Sequence, residues 1–450
     1  INNPIADWHS WRQADTASVT RNYVRYGIDP LFPRYDDLSS VASGKPNPEG
    51  YRFVEFPLYN IASVVIDKLV PDTIEHSSRL TSIFASMWSL IFLYFLVKKH
   101  SDQFTAKVAA FYFAVLPYNI YWSRVVLPEP TLVALCLGMI YFFNQWIDTE
   151  KKRYYISSVL LAAAALLVKF TAIFFVIPMA YLVFRKWGWR AFLNPWMYVY
   201  GVAMVIPFIL WRQHISYYPE GIPAYNWLFN GNGIRFKGAF FWWIFADRIA
   251  KMILGGWGIV LLITGIITKT LDRKNKSNYF FHSWLVAMIL YLFVFATGNV
   301  QHDYYQVILV PILCIFLAIG TVTLWGLLGQ RINTILSRLS LLICVIFMLM
   351  FGWYQARDLF NINHPEIVEA GNAVQQVLGD KLGTIIAPYG GDTAFLYQTA
   401  RRGWPLMEGT IDEMINKGAD YYVSTNFDEL TNSLVNEALG ITPGKHAFKI

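Results

Sequence analysis

Ten separate apolar runs, each 14 to 25 residues long, set the terms on which this chain folds. They lie near residues 79–97, 105–122, 128–147, 154–168, 171–184, 196–213, 251–270, 280–299, 304–328 and 339–355. A bilayer core about 30 Å thick needs about 20 apolar residues per helix, fewer where aromatic and basic residues anchor the ends. Runs of this kind predict a mainly α, polytopic transmembrane helical bundle. Composition agrees: of 450 residues, 55% are hydrophobic and only 15% charged, against about a quarter charged in soluble domains. The runs at 154–168 and 171–184 are short and meet at Lys169, which predicts a tight hairpin there.

The net charge of +7 comes with basic residues gathered between runs: Lys98–Lys99, Lys151–Lys152–Arg153, Arg185–Lys186 with Arg190, Lys269 to Lys276, and Arg331 with Arg338. All fall on one side of the predicted membrane, which the positive-inside rule makes cytoplasmic. The basic balance is therefore assigned to loops at a lipid bilayer and not to a nucleic-acid partner. Cys136, Cys314 and Cys344 sit inside apolar runs without zinc-type spacing, so they read as packing residues. The opposite, outer side receives residues 1–78, the turn from Trp122 to Glu129, the Lys169 turn, the aromatic loop 214–250, the stretch 297–305 and everything after Tyr354. That layout implies one more span ahead of residue 1, about eleven in all. The chain then divides into an outer loop region (1–78), a membrane domain (79–358) and a small extracytoplasmic α/β domain (359–450).

Within the opening region, "DTASVTRNYVRYG" (15–27) and "FPLYNIASVVIDKL" (56–69) are predicted as helices along the membrane surface. The turn-rich stretch between them is expected to form a mobile loop. After the last span the pattern changes to strand, helix, helix, strand, helix, the mark of a small α/β domain.

Ionisable residues cluster at the outer turns. "ADWHSWRQADTAS" (6–18) carries Asp7, His9, Arg12, Gln13 and Asp15; "SRVVLPEP" carries Arg124 and Glu129; "QHDYYQ" carries His302, Asp303, Tyr304 and Tyr305; Glu55 and Lys169 complete the set. Each has a bland reading. Asp15 with Thr16 suits a helix start, Arg12 and Asp15 lie three apart on one helical face, Glu55 suits a helix N-terminus, and Lys169 can snorkel. Together, acid, base, imidazole and cation at one mouth of a bundle point to a functional site. There is no phosphate-binding glycine loop, no dinucleotide fingerprint and no serine elbow. A lipid-borne phosphate substrate fits this geography, with cations at its phosphate and a carboxylate taking the proton of an attacking hydroxyl.

The order "DWHSWRQADTASVTRNYVRYG", "YRFVEFPLYNIASVVIDKL", "YWSRVVLPEPTLVAL" and "QHDYYQVILVPIL" resembles the bacterial and archaeal branch of the dolichyl-phosphate-mannose protein mannosyltransferase family, including aminoarabinose-transferring enzymes. The resemblance runs through the whole membrane portion and implies a GT-C type fold. It implies that Asp15 acts as general base or orients the acceptor, with general base the expected role, and that Glu129 is a second catalytic acidic residue. Glu55 matches the glutamate of the family's "EKPPL" stretch, while Phe56 replaces its lysine, so Arg12, Arg124 or Lys169 is expected to serve the phosphate. His302, Tyr304 and Tyr305 match an "HxYY" segment that grips sugar or phosphate, and His9, Gln13 and Trp11 shape the mouth. Some relatives use a divalent metal, for which Glu55 and His302 are the candidate ligands; no other cofactor is implied. The expected activity is transfer of a sugar from a polyprenyl-phosphate donor to a lipid, polysaccharide or protein hydroxyl, with inversion, on the extracytoplasmic face of a multi-pass cell-membrane protein. The competing reading is a flippase of a lipid-linked sugar, without transfer chemistry. Nearly charge-free spans and the lack of paired repeats argue against it.

Overall fold

The structure is a computed structural model that describes residues 3–268, 278–331, 334–379, 381 and 383–434. The basic run Lys269 to Lys276 and the end of the expected C-terminal helix lie outside the described residues. Helices occupy all ten apolar runs, in several cases as broken pieces. In the opening region lie α1 (Ser10–Tyr26) and α2 (Leu58–Leu69). The bundle follows with α3 (Ile74–His100), α4 (Gln103–Val115), α5 (Pro117–Trp122), α6 (Glu129–Thr149), α7 (Lys152–Val168), α8 (Val176–Trp187) and α9 (Pro195–Ile215). Short helices α10 (Trp227–Asn230) and α11 (Gly238–Phe241) lead into α12 (Gly258–Ile267), α13 (Phe280–Val294), α14 (Ala296–Gln301), α15 (Val310–Arg331) and α16 (Thr334–Ala356). Among the described residues, five helical stretches are long and apolar enough to cross a bilayer, and a bent pair makes a sixth if taken as one span. This is a multi-pass membrane protein.

The breaks have local causes. In 105–122, Pro117 removes a backbone donor and drives Leu116 to an extended ψ of 120°, which separates α4 from α5. Asn119 Nδ2 then donates to the Phe113 carbonyl at 2.6 Å. The run 251–270 does not form one helix: Gly255 and Gly256 take positive φ of 54° and 74°, and Trp242–Ile253, wound as a π-helix, meets α12 at a 113° bend. A Cβ on Gly255 would lie 2.2 Å from the Met348 carbonyl oxygen, so no larger residue fits this corner. Elsewhere close approach rests on small residues: Cβ atoms on Gly265 and Gly320 would each meet backbone of the facing helix at 1.9 Å, so α12 and α15 touch main chain to main chain.

The two ends of the bundle differ. At one end basic residues close the loops: Lys99 Nζ reaches Asp148 at 2.5 Å, and Lys186 reaches Glu150 at 2.7 Å. At the other, α1 and α2 lie over the start of α3 and α6, with Tyr59 donating to the Ser78 carbonyl at 2.7 Å and Ser82 to the Val125 carbonyl at 2.6 Å.

The C-terminal region adds α17 (Pro365–Leu378), β1 (Thr384–Ile386), α18 (Thr393–Gln398), β2 (Gly403–Trp404), α19 (Ile411–Asn416) and β3 (Ala419–Tyr422). Its sheet is parallel, in the order β2-β1-β3. The edge strand β2 escapes the sequence pattern because it is two residues long. One apolar core serves this region and the opening segment together, joining Ala14 and Ala17 of α1 to Ile367, Ile385, Phe395 and Tyr397. Two expectations change accordingly. Helix α1 has no free face: its residues are buried from Ser10 to Tyr23 with few exceptions, so it is an internal strut. The turn-rich stretch is tied down, with Ser40 N and Oγ both on Glu408 Oε1 at 2.6 Å and Leu38 N on the Gly403 carbonyl at 2.8 Å.

Candidate active site

Helix α1 begins at Ser10, so Asp15 lies in its second turn and not at its head. The residue before the helix is His9, held at φ 52° and ψ 39°, an uncommon conformation for a residue with a side chain. That backbone accompanies a specific contact: His9 Nε2 pairs with Asp303 Oδ1 at 2.9 Å, and Trp8 Nε1 donates to Asp303 Oδ2 at 2.8 Å. The Tyr118 hydroxyl donates to the Asp303 carbonyl, and Tyr291 to that of Tyr305 at 3.0 Å. The break before α5 thus places Tyr118 where it braces the 302–305 segment.

Arg12 and Asp15 share a face, as their spacing predicts, but they do not pair with each other. Arg12 Nη2 donates to Glu55 Oε1 at 2.8 Å and Oε2 at 3.0 Å, while Arg52 Nη2 donates to Asp15 Oδ2 at 2.5 Å. Thr393 Oγ1, from the C-terminal region, donates to Asp15 Oδ1 at 2.7 Å. The segment Arg52 to Glu55 therefore runs antiparallel beside α1, each charge meeting its opposite. These four residues, with Asn60 and Val54, line a cleft of about 250 Å³.

A second cleft, of about 260 Å³, is lined by Glu129, Lys169, Tyr291 and Tyr305. Glu129 opens α6, where the helix dipole favours a carboxylate. Lys169, in extended backbone at the end of α7, pairs with Glu129 Oε1 and lies 5.0 Å from the Tyr305 ring centroid and 5.6 Å from that of Tyr304. The other oxygen, Glu129 Oε2, is buried with no hydrogen-bond partner. Arg12, Asp15 and Glu129 are all at most 5% exposed, far below what unpaired charge tolerates. Burial disfavours the Arg12 charge, but the field of Glu55, then of Tyr304, Glu129 and Asp15, outweighs it and raises its pKa. The two clefts are thus electrically one site.

His302 stands at the edge of this group in an aromatic surround: Tyr304 stacks at 5.4 Å, with His9 at 5.4 Å, Trp11 at 5.9 Å and Trp227 at 5.4 Å. Burial, then the field of His9, lowers its pKa to about 4 against the pull of Asp303. It is therefore a neutral imidazole at pH 7. Its Nδ1 is buried without a partner.

Two expected members turn elsewhere. Gln13 Nε2 donates to Asp7 Oδ1 at 2.7 Å and its Oε1 accepts from Val126 N at 3.2 Å, stapling the opening loop to the turn before α6. Arg124 faces Asp7 at 3.8 Å and packs on the Tyr121 and Phe360 rings. Both make their contacts in a neighbouring Asp7 cluster, away from the two clefts. Sequence reasoning missed Arg52, Thr393 and Trp227 and gave Asp303 no role. Arg52 and Asp303 stand within three residues of candidates, a usable signal; Thr393 carries none. Of the candidate metal ligands, Glu55 is engaged by Arg12 and His302 stands among aromatic rings; no cluster of three His, Cys, Asp or Glu occurs among the described residues.

A bundle of broken apolar helices, with buried charges at one end under a strut and a small α/β unit, is the GT-C fold of integral-membrane glycosyltransferases. Residues 64–211 match the family model of dolichyl-phosphate-mannose-protein mannosyltransferases, the family that the sequence resembles. ArnT from Cupriavidus metallidurans, bound to undecaprenyl phosphate, matches with a TM-score of 0.62 and 14% identity over 91% of this chain and 85% of its own. The Archaeoglobus fulgidus oligosaccharyltransferase in complex with Zn and sulfate matches at TM-score 0.54 and 11% identity, over 88% of this chain and 58% of its own. AglB from the same organism, in complex with an inhibitory peptide and a dolichol-phosphate, matches at TM-score 0.52 and 9% identity, over 90% and 62%. These likenesses establish the fold. No curated protein sequence matches the chain.

Proposed function

We propose that this protein is a glycosyltransferase that moves a sugar from a polyprenyl-phosphate donor to an acceptor hydroxyl. The observation that carries the reading is the pair of cations, buried Arg12 and partly buried Lys169, set among Asp15, Glu55 and Glu129 at the mouth of a membrane bundle. Carboxylates paired to cations form a site that an anionic phosphodiester can enter by exchange: the phosphate takes over the cations, whose hold strengthens as a second negative charge develops on it, and the carboxylates turn to sugar and acceptor. Neither cleft has free space for more than a water-sized group, so donor entry requires these pairs to open. ArnT with undecaprenyl phosphate and AglB with a dolichol-phosphate support a lipid-linked donor.

In the proposed step, the acceptor oxygen bonds to the anomeric carbon as the carbon–oxygen bond to phosphate breaks. The electron pair leaves on the polyprenyl phosphate, which Arg12 and Lys169 hold. Asp15 takes the acceptor proton; Arg52 and Thr393 occupy one site on each of its oxygens and leave others for that proton. A single displacement inverts the anomeric centre. Glu129, through its unpaired Oε2, orients sugar or acceptor. His302, being neutral, serves as a hydrogen-bonding and stacking group. The basic residues at the other end of the bundle support a cytoplasmic side there and, with it, an extracytoplasmic site and C-terminal region.

The test is incubation of purified protein with a panel of polyprenyl-phosphate sugars and detection of free polyprenyl phosphate. Asp15→Asn is expected to fold and to lose at least about 100-fold in turnover. Normal turnover in that variant would remove Asp15 from the mechanism.

A further inference from the structure

Helix α18 starts directly beneath the proposed base. Two glycines in left-handed conformation, Gly390 (φ 62°) and Gly391 (φ 84°), deliver the chain to Asp392, whose side chain caps the helix by accepting from Ala394 N at 2.7 Å. Thr393 is the first helical residue. Its hydroxyl lies 2.7 Å from Asp15 Oδ1 and 3.2 Å from the Trp11 carbonyl, and its one proton goes to the nearer, charged acceptor. The rest of α18 fixes that hydroxyl in place. Tyr397 lies under the Arg21 guanidinium at 4.1 Å and donates to Glu75 at 2.7 Å, and Gln398 donates to the Ile5 carbonyl at 2.9 Å. Ala394, Phe395 and Leu396 are fully buried in the core that contains Ala14 and Ala17 of α1.

We propose that Thr393 is a positioning residue for Asp15, so that the small C-terminal domain completes the active site. The inference rests on the reading of Asp15 as general base. Arg52 alone grips one oxygen and leaves the carboxylate plane free to turn; a second donor on the other oxygen fixes that plane relative to the attacking hydroxyl. The domain's docking then acts on the chemistry through one hydrogen bond.

The test compares Thr393→Val, which keeps shape and removes the donor, with Thr393→Ser, which keeps the donor. With a polyprenyl-phosphate sugar as substrate, Thr393→Val is expected to lower kcat about tenfold with little change in KM, the scale of one hydrogen bond to a charged group. Thr393→Ser is expected to restore kcat. A wild-type kcat in Thr393→Val, in an active enzyme, overturns the inference and leaves Asp15 as base untouched. Thermal melts of Thr393→Val, Asp15→Asn and the double variant give a readout independent of turnover: non-additive shifts support the contact, additive ones overturn it. If the wild-type protein releases polyprenyl phosphate from no donor while the melts are non-additive, the base assignment fails and the positioning role fails with it.

Discussion

Two clusters of buried charge sit side by side at the same end of this bundle, and they are built differently. In one, Arg12, Asp15, Glu55, Glu129 and Lys169 pair across segments and line clefts. In the other, Asp7 is enclosed by Gln13, Tyr121 and Arg124, which in turn is covered by two aromatic rings. Both draw on the opening motif, one through Arg12 and Asp15, the other through Asp7 and Gln13. The difference is setting: one cluster lines two clefts, while the other joins the opening loop to the turn before α6. Buried charge is therefore a site only where its partners are exchangeable.

The largest expected effect falls on the exchangeable side. Lys169→Met leaves Glu129 buried and unpaired, and thermal denaturation is expected to register a loss of about 3–5 kcal/mol. Adding Glu129→Gln should recover much of that stability without recovering turnover; recovery of turnover would make the pair purely structural. Next comes Arg12→Gln, for which polyprenyl-phosphate release is expected to fall about 100- to 1000-fold with the fold retained. A smaller effect is expected for Arg124→Gln. Burial already pushes the Asp7 pKa up despite Arg79 and Arg124, so its carboxyl can accept a proton when Arg124 is lost. A stability cost of about 1–2 kcal/mol with near-normal turnover per folded molecule is the expected result. A turnover loss as large as that of Arg12→Gln would erase the distinction between the clusters.

The smallest effect concerns His302, whose pKa of about 4 lies below the value of about 6.5 for a free imidazole. Between those values the unfolded chain binds the proton and the folded one does not. Its contribution is complete above about pH 6.5 and is lost as pH falls toward 4. His302→Gln should flatten that part of the melting-temperature profile, and an unchanged slope between pH 7 and pH 5 would contradict a neutral buried imidazole.

Much of the bundle was legible in the sequence, because burial in lipid imposes a length and an apolarity that composition reveals directly. Where the runs break was only partly legible. Pro117 and the Gly255–Gly256 pair mark two breaks in plain sight, whereas the break at Phe295 carries no proline or glycine and depends on neighbours. The candidate residues were legible as a set, since charge at a membrane boundary stands out against apolar neighbours. Their partners were not. Arg12 and Asp15, three apart on one helix, predict a local ion pair; the fold instead crosses them with Glu55 and Arg52.

By itself, then, the sequence determined the class of solvent, the positions of most helices and which titratable groups gather at one end, because each of these follows from spacing along the chain. Only the tertiary structure decided that Asp15 lies within a helix, that Arg52 and Thr393 hold it, and that Gln13 and Arg124 turn away. Those are choices among equally charged partners, and no local pattern ranks them. Packing ranks them, through a core that α1 and the C-terminal region must bury together.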